Sequence, residues 1–234
     1  MLYKGFRITD YMPTALLLVL FKDEDQPDEK RWAACIALGT KHDEPSFAAL
    51  LEGLHHDDWN IRYLSLEAIK RHALAPRAEP EIVQALFDIN DQVRQTACKA
   101  CADLGFTQAH DAMVQLLAAA NHHVRDVALT ALSRIWQPED FERVLHLAET
   151  DPERSVRIAA AKVLRAYADT ANWRRLFNLW RTDREVRHRM WSCELAGRFG
   201  NTAERNAIQA LQHDPNRNVR LAADKALRQL AERV

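Results

Sequence analysis

Cys98-x-x-Cys101 is the spacing in this chain that most invites chemistry. Two thiols three residues apart can close into a redox disulfide or give two ligands to a metal. Both positions, however, fall on the apolar face of one helical pattern. Cys35 and Cys193 fall on or beside the matching face of two others. A small apolar side chain is the ordinary use of cysteine at such positions, so four reduced core thiols are expected, as in a cytoplasmic protein. His55-His56 and His122-His123 are adjacent pairs. Neighbours on a helix point about 100° apart, and neither pair has a partner four residues on. There is no glycine-rich phosphate loop, no Gly-x-Ser-x-Gly and no nucleophile triad. The sequence thus assigns no catalytic residue, no metal and no cofactor, and leaves open whether the protein is an enzyme.

Two further groups could do chemistry of another kind. Trp173, Phe177 and Trp180 are interleaved with Arg174, Arg175 and Arg181. Arginines that meet phosphates and aromatics that stack on bases bind nucleic acid; the same four-and-three spacing also describes the core stripe of a helix. Trp191 and Glu194 stand where the chain's own repeating pattern breaks.

That pattern organises everything else. Aliphatic-Arg pairs occur at Ile61-Arg62, Val93-Arg94, Val124-Arg125, Val156-Arg157, Val186-Arg187 and Val219-Arg220, with a degenerate Lys30-Arg31 before them. The arginines are spaced by 31, 32, 31, 32, 30 and 33 residues, and a fixed period of this size marks a solenoid. Four residues after the aliphatic position come Ala34, Ser65, Ala97, Ala128, Ala160 and Ala223. Seven and eight after it come pairs such as Ala68-Ile69 and Val163-Leu164. Spacing of four, seven and eight is one helix face, and small residues on it let a neighbouring helix approach. A second apolar run precedes each pair, so each repeat reads as two antiparallel helices, A then B. One such pair cannot bury its face alone, so the pairs must stack.

The pattern resembles HEAT repeats, in particular the short HEAT-like repeats of phycobilisome bilin lyases. The resemblance covers residues 12–234, with residues 1–11 as an N-terminal cap segment. It implies an all-α fold: a right-handed α-α superhelix of seven HEAT-like helix pairs, read as one domain over 1–234. It implies that Arg62, Arg94, Arg125, Arg157, Arg187 and Arg220 are structural, forming inter-repeat ladders with acids or amides of the preceding turn. Those partners are Asp57 or Asp58, Asn90 or Asp91, Asn121, Asp151, Asp183 and Asp214 in that order. It implies too that the B helices line a concave groove. That groove would hold Trp32, Trp59, Tyr63, Glu67 and Arg71; then Gln95, Lys99, His122, His123, Asp126 and Arg134; then Arg154, Lys162, Arg184, His188 and Arg189. Some iron-dependent HEAT-repeat hydroxylases carry His-Glu pairs, which this chain lacks.

Repeat six fits worst. Met190 replaces the small residue, Trp191 follows it, and Glu194 takes a position that is apolar elsewhere. An unpaired Glu in a core costs several kcal/mol. Glu194 should therefore find Arg187, Arg189 or Arg198 or rotate to solvent, and two readings follow: the departure is functional, or the helix is shifted in register and Leu195 and Phe199 take over its apolar face.

The net charge of −1 hides an asymmetry: residues 1–133 carry 13 Lys and Arg against 19 Asp and Glu, and residues 134–234 carry 19 against 14. Divided charge favours a two-ended recognition surface over bulk nucleic-acid binding. Ala15 to Phe21 is apolar but short of the ~18 residues of a membrane helix and lacks a cleavage site; it reads as the buried face of helix A1. The expected function is a non-enzymatic scaffold that binds a protein or peptide in the groove. A bilin lyase-like chromophore-handling protein and a HEAT-like DNA-binding protein or alkylpurine glycosylase are the alternatives. The oligomeric state is not legible.

Overall fold

The structure, a computed structural model, describes residues 2–3, 6–8 and 11–232. The N-terminal cap segment carries a small ribbon. Strand β1 (Leu2–Tyr3) pairs antiparallel with β2 (Phe6–Arg7), with Leu2 opposite Arg7. Residues 1, 4, 5, 9 and 10 of the expected cap, and Arg233 and Val234 at the other end, lie outside the described residues.

The chain divides into two compact units, 1–137 and 138–234. The first holds four helix pairs: α1 (Thr14–Lys22) with α2 (Asp28–Leu38), α3 (Glu44–Gly53) with α4 (Trp59–Ile69), α5 (Glu79–Gln84) with α6 (Asp91–Leu104), and α7 (His110–Leu116) with α8 (His122–Leu132). The second holds three: α9 (Asp140–Thr150) with α10 (Arg154–Ala166), α11 (Trp173–Trp180) with α12 (Val186–Phe199), and α13 (Arg205–Leu211) with α14 (Arg217–Ala231). Seven A–B pairs are therefore present, as the repeat predicts.

Local chemistry sets the boundaries. Asp43, Asp58, Asn90, Asn121 and Asn216 cap helices by accepting from backbone N–H groups of the first turn, each satisfying an otherwise orphaned donor. Helix α2 begins at Asp28 because Pro27 precedes it and Asp28 and Glu29 suit the positive end of the helix dipole. Gly105 closes α6 in the left-handed conformation (φ 72°), which costs a glycine least.

Within each unit the second helices pack in a row: α2, α4, α6 and α8 in the first, α10, α12 and α14 in the second. Small side chains make this row tight. A methyl group built on Gly197 of α12 would lie 3.1 Å from the Ala226 Cα of α14. Ser65, Ala97, Ala128, Ala160 and Ala223 are fully buried at the contact positions, and Ile61, Val93, Val124, Val156 and Val219 sit beneath them. Burying each of these aliphatic side chains is worth about 1.5–3 kcal/mol.

The repeat arginines do one job with one nitrogen. The Nη1 of Arg62, Arg94, Arg125, Arg157 and Arg220 each donates to the carbonyls six and five residues earlier, at 2.6–3.1 Å. They thus fix the A-to-B turn through its backbone, rather than through the expected Asp and Asn side chains. Arg94 also reaches one of those, the carboxylate of Asp91. In repeat six the residue in this role is Arg189, which donates to the carbonyls of Asp183 and Arg184 at 2.7 and 3.1 Å. Arg187, expected to be the structural arginine, is exposed and makes no hydrogen bond or ion pair among the described residues.

Repeat six is therefore shifted by two residues from its sequence-predicted register. His188 takes the aliphatic position and is buried at 4% exposure; Ser192 takes the small position and is fully buried; Leu195 and Ala196 complete the face. His188 is a core residue, not a groove residue. Its ring lies against Trp180 and Trp191, with centroids 5.6 Å from each, and its Nδ1 is 3.1 Å from the Asp183 carboxylate. The two indoles are themselves 6.0 Å apart, so the three rings form one cluster that fills the volume that a valine and its neighbours fill elsewhere.

The ladder continues from one repeat to the next. The Nε and Nη2 of Arg62 hold the two carboxylate oxygens of Asp88 at 2.7 and 2.8 Å. The same edge of Arg189 holds Asp214 at 2.6 and 3.0 Å. Both acids also accept the N–H two residues on. The Arg189 hydrogen bonds hold the Asp214 carboxyl below its ordinary value. For Asp88, burial pushes the other way, but hydrogen bonds from Arg62 and the Asn90 N–H outweigh it and hold that carboxyl low too.

Candidate interaction face on the second helices

With the register corrected, the residues two, three, six and ten past the core position of α12 are Met190, Trp191, Glu194 and Arg198. The matching positions three, six and ten along α14 are Ala222, Lys225 and Gln229. These seven residues lie together around one cavity of about 470 Å3 between α12 and α14. Glu194 is exposed on this face rather than in the core. Its partner is none of the three arginines named from the sequence. Arg165, at the end of α10, holds it through two hydrogen bonds of 2.8 and 3.0 Å.

Trp191 is the centre of this face. It is half-buried, with Trp180 6.0 Å away on its inner side. The Arg165 guanidinium lies 5.5 Å from its ring centre on the other. This arginine thus neutralises Glu194 and stacks on Trp191 at once. The indole is held in one orientation with part of its surface in solvent. Arg198 and Lys225 beside it are exposed, and neither forms an ion pair among the described residues. The face therefore offers an ordered aromatic and a net positive charge.

The other expected groove residues divide in two. In the first unit, Trp59 is 40% exposed at the start of α4, Tyr63 and Trp32 are half-buried, and the Trp32 indole N–H points to Asp58 at 3.4 Å. Lys99 is exposed, and His122 lies with its ring 3.9 Å from that of His123. Charges here are already matched: Glu67 meets Lys70 and Arg71, and Asp103 meets Lys70 and Arg134. In the second unit, Arg154 is exposed but bound to Glu185 at 2.6 Å through each of two nitrogens. Arg184 falls in the turn before α12. His188 and Arg189 belong to core and ladder, as described. The sequence reading missed Arg165, Arg198 and Lys225 as members of one face. Arg157 to Arg189 is a step of 32, like the others, whereas the reading through Arg187 needs steps of 30 and 33. That irregularity was the available signal.

The other suspected chemistries resolve into packing. Trp173, Phe177 and Trp180 are buried at 4, 2 and 1% exposure. Arg174 and Arg175 pair with Glu204 and Glu142. All four cysteines are buried and free, and burial pushes each thiol up to about 12. Since thiolate is the reactive form, a shift of this size leaves about a thousand-fold less of it at neutral pH. At pH 8 a thiol reagent is expected to leave all four unmodified in the folded protein and to label all four after unfolding. Rapid labelling of Cys98 or Cys101 in the folded protein would reopen the redox reading. Among the described residues no group of three His, Cys, Asp or Glu is arranged to hold a metal ion, and no helix is long and apolar enough to cross a membrane.

The stacked helix pairs and their arginine ladder define a helical-repeat solenoid of HEAT-like repeats. Residues 79–165 match the family model for HEAT repeats. Among solved structures, the chain is similar to Escherichia coli YibA, with a TM-score of 0.66 and 20% identity over 92% of this chain and 81% of that one. It is also similar to a chain from the complex of CpcE and CpcF of phycocyanin lyase from Nostoc sp. PCC7120, with a TM-score of 0.57 and 18% identity over 100% and 91%. An engineered protein gives 0.57 and 18% over 93% and 68%. At these identities the likeness concerns the fold, and solenoids of one fold serve unrelated functions. No curated protein matches the chain in sequence.

Proposed function

We propose that this protein is a non-enzymatic interaction scaffold that holds an extended, net-acidic protein segment on the second-helix face of its 138–234 unit. The observation that carries this reading is Trp191 itself: an indole fixed by Arg165 and Trp180 at the mouth of an open cavity, flanked by the unpaired cations of Arg198 and Lys225. Interface anchors are most often Trp, Tyr and Arg held rigid in partly desolvated places. A pre-ordered ring loses little side-chain entropy when a partner covers it. The 138–234 unit carries 18 Lys and Arg against 14 Asp and Glu, which favours an acidic partner. A protein of similar fold is found within the CpcE–CpcF complex, consistent with a surface that receives another chain. Four buried, unpaired thiols suit a reducing compartment such as the cytoplasm.

The test is site-specific photo-crosslinking in the native cell, with the crosslinker at Met190 or Gln229 on the face and at exposed Asn178 on α11 as a control. Adducts to one protein, from 190 and 229 but not 178, mapping to an acidic stretch, would support the scaffold. Adducts only to nucleic acid, or a bound linear tetrapyrrole with no protein, would replace it with the DNA-binding or chromophore-handling reading.

A further inference from the structure

The rung of the arginine ladder at Arg157 is open, and Arg157 lines a cavity. In the rungs at Arg62 and Arg189 the guanidinium is used twice over. Nη1 holds the carbonyls of its own turn, while the Nε–Nη2 edge takes a carboxylate of the next repeat side-on. Arg157 has its Nη1 fixed in the same way, on the carbonyls of Asp151 and Pro152 at 2.6 and 3.0 Å. The acid that corresponds to Asp88 and Asp214 is Asp183. Like those acids it accepts the N–H two residues on, from Glu185 at 2.7 Å, but its other oxygen lies 3.1 Å from the Nδ1 of His188 instead of on Arg157. Among the described residues the Nε–Nη2 edge of Arg157 meets no acceptor. The cause lies in the sequence: His188 stands where other repeats have Ile or Val, and its ring N–H competes for the aspartate.

Arg157 lines a cavity of about 360 Å3. Trp180, Leu179 and Ile158 give it an apolar wall, and Arg184, in the turn before α12, lines it with a guanidinium that makes no hydrogen bond among the described residues. His188 also lines it and is 4% exposed, and its Nε2 is a buried ring nitrogen with no hydrogen-bond partner. The nearby Arg154–Glu185 pair is closed on itself by two bonds of 2.6 Å. The site thus presents a guanidinium with an unused edge, a second arginine and an apolar wall in which Trp180 is only 1% exposed, with the carboxylates of Glu149 and Asp183 also in its lining.

We infer that this cavity is a binding site for a carboxylate carried on an apolar body, the carboxylate completing the open rung on Arg157 and the body lying against Ile158 and Leu179. Guanidinium and carboxylate match in a planar, two-bond geometry, and the same edge in the two closed rungs does bind a carboxylate. An arginine already fixed by two carbonyl bonds loses little freedom in binding it. The carboxylate could belong to a small organic acid or to the end of a peptide chain.

The experiment uses the full chain, with the Arg Nε–H signals followed by nitrogen-resolved NMR during titration with benzoate. The expected result is a saturable 1:1 shift of the Arg157 signal with a Kd on the order of millimolar, absent for benzamide. Arg184→Ala, at an exposed turn position, should weaken binding about three- to ten-fold. Arg157→Lys, which keeps charge but lacks the fork, should remove the saturable binding. Peptides ending in a phenylalanine carboxylate or its amide separate the two sources: tighter binding of the carboxylate peptide than of benzoate assigns a chain end, and the reverse assigns a small acid. No saturable shift of Arg157 in the wild type, or equal binding by Arg157→Lys with its fold intact, would overturn the proposal. Binding of inorganic phosphate in preference to benzoate would overturn the carboxylate assignment.

Discussion

Replacing Arg189 by alanine should cost the 138–234 unit about 3–5 kcal/mol of stability, whereas replacing Arg187, two residues earlier, should change it by no more than about 0.5 kcal/mol. The asymmetry follows from what each side chain touches. The Arg189 side chain is 13% exposed and bound to Asp214, which is 5% exposed, while two turn carbonyls rest on its Nη1. Without it a buried carboxylate keeps the backbone N–H of Asn216 as its hydrogen-bond donor and Arg220 as its remaining nearby cation, and a poorly compensated buried charge is among the costliest single changes. Arg187 is exposed and binds nothing among the described residues. Urea unfolding of both variants decides the matter, read by circular dichroism and by Trp fluorescence because stacked repeats can unfold in parts. Equal losses, or a larger loss for Arg187→Ala, would mean that α12 is not in the register described.

The same pair predicts an acid limb. The Arg189 hydrogen bonds keep the folded Asp214 carboxyl below its ordinary value of about 3.9. The unfolded chain therefore takes up the proton first as pH falls. The stabilisation is complete above the ordinary value and drains away as pH drops towards the lowered one. Arg189→Ala should be less stable at neutral pH and should flatten this part of the acid dependence. Asp88, also held low, leaves a similar slope of its own in the first unit.

Repeat six explains both what the sequence told and what it hid. A solenoid is legible because every repeat must solve the same two problems, closing its turn and letting its second helix approach the next. These demands fix an arginine, an aliphatic residue and a small residue at constant spacing. Val186-Arg187 satisfied the pattern by composition alone, while the residues that do the work, His188 and Arg189, do not look like an aliphatic-Arg pair. His188 substitutes because its ring packs in one cluster with Trp180 and Trp191 and Asp183 accepts from its nitrogen. A two-residue shift turns a helix by about 200°, which is why Glu194 moved from an expected core position to the surface. Trp191 also changed meaning, from a break in the pattern to the centre of a face. The Arg165–Glu194 pair was hidden for a different reason. Its residues lie 29 apart on a face that neither turn closure nor helix packing constrains, so no periodicity points to it. The open rung at Arg157 was hidden as well, because its sequence is that of a closed one: Asp183 is present and simply bonds elsewhere.

Trp191→Ala should weaken capture of the acidic segment by about 30-fold or more, equivalent to ~2 kcal/mol, the scale at which truncating a rigid aromatic anchor is felt. The loss should appear mainly as faster dissociation, since most effects of interface changes fall there. The flanking cations should behave differently. Arg198 and Lys225 are exposed and unpaired, so they act at a distance and through a salt-screened field. Lys225→Glu combined with Arg198→Glu should slow association several-fold at low salt and leave dissociation nearly unchanged, with the difference from wild type shrinking as salt is raised. Glu194 supplies the internal control. It is held by Arg165, which also stacks on Trp191, so Glu194→Gln frees a positive charge beside the indole. An acidic partner should then bind tighter at low salt, and a neutral or basic partner should not. Surface plasmon resonance of the crosslinked partner over a range of ionic strengths separates these effects. Unchanged dissociation in Trp191→Ala, with the fold intact by circular dichroism, would remove the indole from the interface and with it the observation on which the scaffold reading stands.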